Sequence, residues 1–419
     1  MNQIPTAPPS GFRDFLPDAC AARARAVEAI SAVYRSFGFQ QIATSAVEDL
    51  QVLLGKGGGE NEKLIFKLMK RGAQLDEAKA SGGELADLGL RFDLTLPLAR
   101  YFSKYGSTLP HPFKAFHIGP VWRAERAQKG RYREFYQCDV DIIGSDSTLC
   151  EVEVITAILA AFQAFGVQAH VILNDRGLLL ARLKAAGVAD DKIGAACVAL
   201  DKLDKVEAAA VIAELKELGL AAAESLVTDS GAADAKLTDI IKAINSIAGR
   251  EAASFSANLV RGFDYYTGTV FEFRHPDFKG SIGGGGRYDR LTEKFGGQAI
   301  PACGGSIGFE RLMLLLEQAG AVAAAGPDAV ITVFSDELRE QTLKVAGELR
   351  RSGLSIDVYP GAGKLKKQFQ YADGKKATYA VVIGPDEAAA GRANVKTLKT
   401  GEEKAVPLAE LAAALRANA

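Results

Sequence analysis

The stretch FHIGPVWRAERAQKGRYREFYQCDVDIIG, Phe116 to Gly144, decides how the rest of the chain is read. It begins and ends on short apolar runs, one through Val121 and Trp122, the other through Cys138, Val140 and Ile142. Between them lies a loop rich in Arg and Lys, with Gly130 near its tip. That pattern predicts an antiparallel hairpin with a long basic connection. From Trp122 to Arg133, the cations Arg123, Arg126, Lys129, Arg131 and Arg133 stand against a single acid, Glu125. Guanidinium forks bind phosphate oxygens in a fixed geometry, so a strand-borne Arg followed by a basic loop suits a polyphosphate. A solvated charged turn is the plainer alternative.

Before the hairpin, Pro17 to Phe37 reads as a helix: Asp18 caps it, and Val27, Ile30, Val33, Tyr34 and Phe37 recur at three- and four-residue spacing. Phe39 to Val47 alternates like a strand, IFKLMK reads as another, and Pro97 in LRFDLTLPLARYF opens a helix. After the hairpin, a long helix is expected from Ser147 to Phe165 and a strand from His170 to Leu173. Residues 177–249 shift to Ala, Leu, Lys, Glu and Asp at helical spacing, which predicts a helical insertion. Strand character returns at Phe255 and reaches GSIGGGGRYDRL, and CGGSIGFERLMLLLEQ is a Gly-rich strand entering a helix. Beyond a linker around Ala323 to Pro327, strand alternates with helix, the signature of an α/β unit with a mostly parallel sheet. Its basic residues gather at Lys364, Lys366, Lys367, Lys375 and Lys376.

At 419 residues the chain predicts two or three domains. With 48% apolar and 24% charged residues and a formal net charge of −1, any nucleic-acid contact must come from local patches. The first residues lack a basic stretch followed by an apolar run, so no signal peptide is expected, and no window reads as a membrane span. Cys20, Cys138, Cys150, Cys197 and Cys303 are scattered without ligand spacing, so buried thiols in a reducing, cytoplasmic setting are expected, with no metal site.

Four motifs now stand in order: VWRAERAQKGRYREFYQ, LVRGFDYYTGTVFEF, GGGGRYDRL and GFERLMLLLE. Over essentially its whole length the chain resembles the histidyl-tRNA synthetase family of class II aminoacyl-tRNA synthetases. The hairpin is similar to the second class II motif and GFERLMLLLE to the third. The two stretches between them resemble signatures peculiar to the histidine enzymes. The resemblance implies a catalytic core built on an antiparallel sheet flanked by helices over residues 1–325, interrupted by a helical insertion at about 177–249. It also implies an α/β anticodon-binding domain over 328–419, a homodimer, and tRNA(His), L-histidine and ATP as partners.

Activation of an amino acid needs no side-chain nucleophile; its carboxylate attacks the α-phosphorus of ATP and pyrophosphate leaves. The protein must hold two anions together and stabilise the charge that develops, which calls for arginines and for magnesium bound with ATP. By resemblance, Arg123, Arg261 and Arg311 are catalytic, and Arg123, Glu125, Arg131 and Arg311 hold ATP. The resemblance places Asp141, Tyr265, Tyr266 and Tyr288 at the imidazole, Asp93, Thr95 and Gln137 at the α-amino group, and Arg261 near the carboxylate. A dry pocket of acid and hydroxyl groups suits a ring with two nitrogens. Adjacent strand residues face opposite ways, so of the two consecutive tyrosines Tyr266 is expected to line the pocket. Arg126 and Lys129 would meet the tRNA acceptor end, and Lys364, Lys366 and Lys367 the anticodon.

Three positions depart from the family pattern: Ser45 replaces a proline in the first motif, Ala127 a proline in the hairpin loop, and Asp93 a glutamate. Two alternatives stand beside this reading, a regulatory subunit of ATP phosphoribosyltransferase and an uncharged-tRNA sensor. The first lacks the anticodon domain and an RGFDYY-type signature, and the second loses ATP-binding arginines; this chain keeps all of them.

Overall fold

The computed structural model describes residues 4–54, 60–126, 131–203, 206–261, 265–320 and 326–416. The chain divides into two units, residues 1–14 with 23–321 and residues 15–22 with 322–419. Lys129, Ala127 and the linker at 323–325 lie outside the described residues.

Among its described residues the first unit carries eleven strands: β1 Gln40–Gln41, β2 Val47–Asp49, β3 Lys67–Met69, β4 Ala86–Leu90, β5 Phe113–Trp122, β6 Glu134–Ile143, β7 His170–Asp175, β8 Ala253–Phe255, β9 Thr269–His275, β10 Phe278–Arg287 and β11 Ala302–Gly308. Eight of them form one sheet in the order β1-β5-β6-β11-β10-β9-β7-β8, and β2-β4-β3 form a small second sheet. Only the end pairs β1–β5 and β7–β8 are parallel. The predicted hairpin is present as β5 and β6, paired from Phe113 with Ile143 to Trp122 with Glu134.

Strand alternation sorts β6 into two faces. Val140, opposite Phe116, belongs to the layer where the Tyr34 ring of helix Pro17–Ser36 meets Phe116 edge-on at 5.7 Å. Gln137, Asp139 and Asp141 alternate with that face and line the cleft described below. Rings fully removed from water, such as Phe116, Phe162 and Phe273, each contribute about 2–3 kcal/mol of burial.

The helical segment has a core of its own, from Leu179 and Leu183 through Val211 and Leu215 to Leu226. The last helix predicted within the insertion, Ala235–Ala248, instead packs on helix Leu149–Gln163 and on β7 and β8. The strand expected over Phe39 to Val47 is interrupted after Gln41. Arg91 donates to the carbonyls of Thr44 (2.8 Å) and Ser45 (3.3 Å), and the Ser45 hydroxyl bonds Val47 two residues on. These local bonds compete with a sheet ladder. The helix expected at Pro97 starts earlier, at Thr95, because the Asp93 carboxylate accepts from the Leu96 amide at 3.1 Å.

The second unit holds β12 Ala329–Ile331, β13 Ile356–Val358, β14 Tyr379–Val382, β15 Arg392–Thr397 and β16 Glu403–Pro407 in the order β13-β12-β14-β15-β16. The first three run parallel, as expected, whereas β15 and β16 add an antiparallel hairpin that the sequence reading did not contain. Among the described residues no helix is long and apolar enough to cross a membrane.

Candidate functional site

Glycine makes the floor of the cleft. In the middle of the large sheet, β10 and β11 face each other as Gly285 with Gly305 and Gly286 with Gly304, so little side chain rises from the centre. Two of these positions show why. A Cβ on Gly304 would overlap the Asp141 carboxylate, and one on Gly284 would sit 2.5 Å from the Arg261 guanidinium carbon. The glycines are therefore the space into which functional side chains from neighbouring segments fold.

Two adjoining cavities open over this floor. One, of about 340 Å3, is lined by every residue that the resemblance assigned to histidine: Asp93, Thr95, Gln137, Asp141, Arg261, Tyr265, Tyr266 and Tyr288. The other, of about 280 Å3, is lined by every residue assigned to ATP: Arg123, Glu125, Arg131 and Arg311. Arg123, Gln137, Arg261 and Ser306 line both. Tyr265 and Tyr266 both reach the first cavity, with ring centroids 4.2 Å apart. The expectation that strand alternation admits only one of them fails, because β9 begins later, at Thr269, and the pair precedes it.

The arginines are held from several elements. Arg123, just past β5, donates Nε to the Phe92 carbonyl at 3.0 Å, and its guanidinium lies 5.0 Å from the Phe135 ring centroid. Arg261 pairs with Glu272 of β9 at 2.9 Å. Arg311 sits in the first turn of helix Phe309–Gln318 and donates to the Ser281 carbonyl. Burial first, and then the charges of Arg131, Arg261 and Arg123, depress the pKa of Arg311. Positive charge crowded into a half-buried cleft favours an anionic ligand. Beside it, Glu310 is clamped by Arg23 (2.7 Å) and Arg13 (2.5 Å), and the Arg13 guanidinium lies 3.2 Å from the Tyr132 ring centroid.

The first cavity has the opposite character. Asp141 is 4% exposed and accepts the Tyr288 hydroxyl. Burial pushes its carboxyl up to about 7; the Tyr288 bond works against this and the charge of Asp93 with it. Asp139, also 4% exposed, is held well above the usual carboxylate range by burial and then by the charge of Asp141. Asp93 is raised by burial, with the Leu96 amide opposing.

Sequence reading missed Asp139, Ser306, Lys294 and Glu310, each of which lines one or both cavities. For Asp139 a signal existed: it shares a strand face with Gln137 and Asp141, two residues to either side. Of the residues expected at tRNA, Arg126 is exposed and lines neither cavity. Lys364, Lys366 and Lys367 are exposed around the first turn of helix Leu365–Gly374 in the second unit. The middle of the histidine-type signature, 262–264, lies outside the described residues.

An antiparallel sheet with a glycine floor, an arginine-lined cavity and an acid-lined one defines the catalytic fold of a class II aminoacyl-tRNA synthetase. A family model described as histidyl-tRNA synthetase matches residues 11–312, and one described as an anticodon binding domain matches 328–418. A histidine–tRNA ligase from Leifsonia xyli subsp. xyli is 41% identical, over 86% of this chain and 91% of its own. One from Phocaeicola vulgatus is 36% identical over 98% of both chains. The crystal structure of histidyl-tRNA synthetase from Nostoc sp. PCC 7120 superposes with a TM-score of 0.86 at 28% identity, over 100% of both chains. The chain belongs to the histidyl-tRNA synthetase family.

Proposed function

We propose that this protein is a histidine–tRNA ligase that joins L-histidine to ATP as histidyl-adenylate, releases pyrophosphate, and passes histidine to the 3′ end of tRNA(His). One observation carries the reading: Arg123 and Arg261 line both the acid-rich and the arginine-rich cavity. A substrate carboxylate in the first and an α-phosphate in the second would meet between these two guanidinium groups.

On this reading Arg123 and Arg261 hold the two reacting anions together and offset the charge that builds on the α-phosphate oxygens. Arg311 and Arg131 grip the rest of the nucleotide and Glu125 borders it. Magnesium bound with ATP would add positive charge on the phosphates. Asp141 with Tyr288 and Tyr266 receives the imidazole, while Asp93, Thr95 and Gln137 face the α-amino group. Ligands lacking a ring nitrogen would leave buried polar groups unpaired, which is an expensive loss. In the second step a ribose hydroxyl of the tRNA end attacks the histidyl carbonyl and AMP departs.

The catalytic domain is assigned to residues 1–325, with the helical insertion at about 177–249, and the anticodon-binding domain to 328–419. Lys364, Lys366 and Lys367 would meet the anticodon arm, and Arg126 and Lys129 the acceptor end. A homodimer in the cytoplasm is part of the proposal: Val47, Met69 and Leu88 of the small sheet are exposed apolar side chains that a second copy would cover. Analytical ultracentrifugation tests the dimer; a monomer at micromolar concentration overturns it. Histidine-dependent exchange of labelled pyrophosphate into ATP, followed by tRNA charging, tests the activity. Histidine binding without exchange would overturn it.

A further inference from the structure

Arg261 lies outside any strand, in the connection between β8, which ends at Phe255, and β9, which begins at Thr269. A side chain there has no sheet ladder to aim it, yet Arg261 lines both cavities. A displacement of about 1 Å at a reacting centre can cost roughly a hundredfold in rate. Its lead-in is held from two sides. From the sheet, the buried Asn174 of β7 donates to the carbonyls of Ala257 (3.2 Å) and Leu259 (3.0 Å). From the insertion comes its first helix, Arg176–Ala185, which Asp175 caps through the Gly177 amide at 2.8 Å. Arg182 of this helix spreads its guanidinium between two segments. Nη1 donates to the Ala257 carbonyl (3.1 Å) and to Oδ1 of Asn258 (2.8 Å). Nη2 donates to the carbonyls of Leu226 and Asp229, both at 2.7 Å, at the C-terminal end of helix Ala223–Thr228. Asn258 completes the tie by donating Nδ2 to the Val227 carbonyl at 3.1 Å. One residue before Arg261, Val260 is buried in the same cluster as Leu179 and Leu183.

The same helix reaches the far side of Arg261. Arg176 donates Nη1 to the Tyr266 carbonyl at 3.1 Å and its backbone amide to the Gly268 carbonyl at 2.9 Å. Arg176 and Arg182 stand about 9 Å apart along the helix axis, so one rigid element grips the chain before and after Arg261. Guanidinium groups suit the task, because their donors diverge in a fixed plane and engage several carbonyls at once. We propose that Arg182 and Arg176 are positioning residues for the amino-acid site: Arg182 fixes the approach of Arg261 to the reacting carboxylate, and Arg176 the placement of Tyr266 at the imidazole. The insertion thereby takes part in amino-acid activation, a step that needs no tRNA.

The inference rests on the histidine-ligase reading, and the test separates the two. Histidine-dependent pyrophosphate exchange is measured on Arg182→Met and Arg176→Met, which keep an apolar stem and lose the fork. Arg182→Met should lower kcat about tenfold, with KM for histidine and for ATP within about threefold of wild type, as befits a group that serves the transition state. Arg176→Met should raise KM for histidine about tenfold and leave KM for ATP within about twofold. A residue that acts through another falls silent once that other is gone. In an Arg261→Ala background, Arg182→Met should therefore cost less than about twofold more. A further loss of about tenfold in that background, or single variants with wild-type kcat and KM, overturns the proposal while leaving the ligase reading intact. Wild-type protein that shows no exchange overturns the ligase reading itself. If Arg182→Met does not fold, as judged by circular dichroism, Asn258→Ala cuts the same tie: a lowered kcat at unchanged KM supports the proposal, and a wild-type kcat overturns it.

Discussion

The Tyr288 hydroxyl donates to Oδ1 of Asp141, and the missing side chain of Gly304, paired with Asp141 across β11 and β6, leaves room for this approach. Tyr288 follows β10, Asp141 stands on β6, and β11 runs between. A methyl group at position 304 would overlap the carboxylate and lie 3.0 Å from the tyrosine oxygen. Gly304→Ala is therefore predicted to lower stability by about 1–3 kcal/mol, as overpacking does. It should also raise KM for histidine at least tenfold while changing KM for ATP little. Denaturant unfolding and pyrophosphate exchange measure both, and a variant with wild-type KM for histidine would refute the geometry.

Two buried groups should tilt stability in opposite directions with pH. Asp141, raised to about 7, keeps a proton in the folded state that the unfolded chain has already lost above about 4. Its contribution is present at low pH and lost as the pH rises through 7. His117, lowered to about 4 by burial and then by the Arg91 guanidinium, refuses a proton that the unfolded chain accepts below 6.5. Its contribution is present above 6.5 and lost as the pH falls through 4. Each slope is at most about 1.4 kcal/mol per pH unit. Urea unfolding should show Asp141→Asn gaining on wild type between pH 5 and 7, and His117→Gln gaining as the pH falls from 6.5 to 4. Differences that do not vary with pH would remove these assignments.

Arg261 and Glu272 make a graded pair. Arg261→Ala should slow exchange by about 10²–10³-fold, the loss seen when one transition-state donor is removed. Glu272→Gln keeps the arginine and loosens the 2.9 Å bond that aims it, so a loss nearer tenfold is expected. Single-turnover rates would rank them, and a Glu272 variant as damaged as Arg261→Ala would mean that the acid acts directly.

Glu310 is 6% exposed and neutralises Arg13 and Arg23 beside the second cavity. Glu310→Gln removes the negative charge that the two cations share and is predicted to destabilise the protein by about 3 kcal/mol, with KM for ATP raised. An unfolding midpoint unchanged from wild type would show that the clamp contributes nothing.

The hairpin was legible because apolar alternation survives in one strand at a time: β5 and β6 carry their own period, and their register follows from a two-strand pairing. Motif order already grouped the residues that the fold gathers: those expected at histidine line one cavity and those expected at ATP line the other. Phe39 to Val47 misled, since nothing local announces that Arg91 will take the Thr44 and Ser45 carbonyls. The paired tyrosines misled because a two-residue alternation holds only inside a strand, and theirs has not yet begun.

By itself, the sequence determined the element types, the order of the motifs and the kinds of charge available, because periodicity and residue chemistry are local properties. Tertiary structure alone decided which of those charges share a cavity. Asp139 became a desolvated neighbour of Asp141 only when β11 laid its glycines across β6, and Arg123 met Arg261 only when strands from distant segments closed one sheet. Burial and register between separated segments set those distances, and electrostatic energy depends on distance and solvent exclusion rather than on position along the chain.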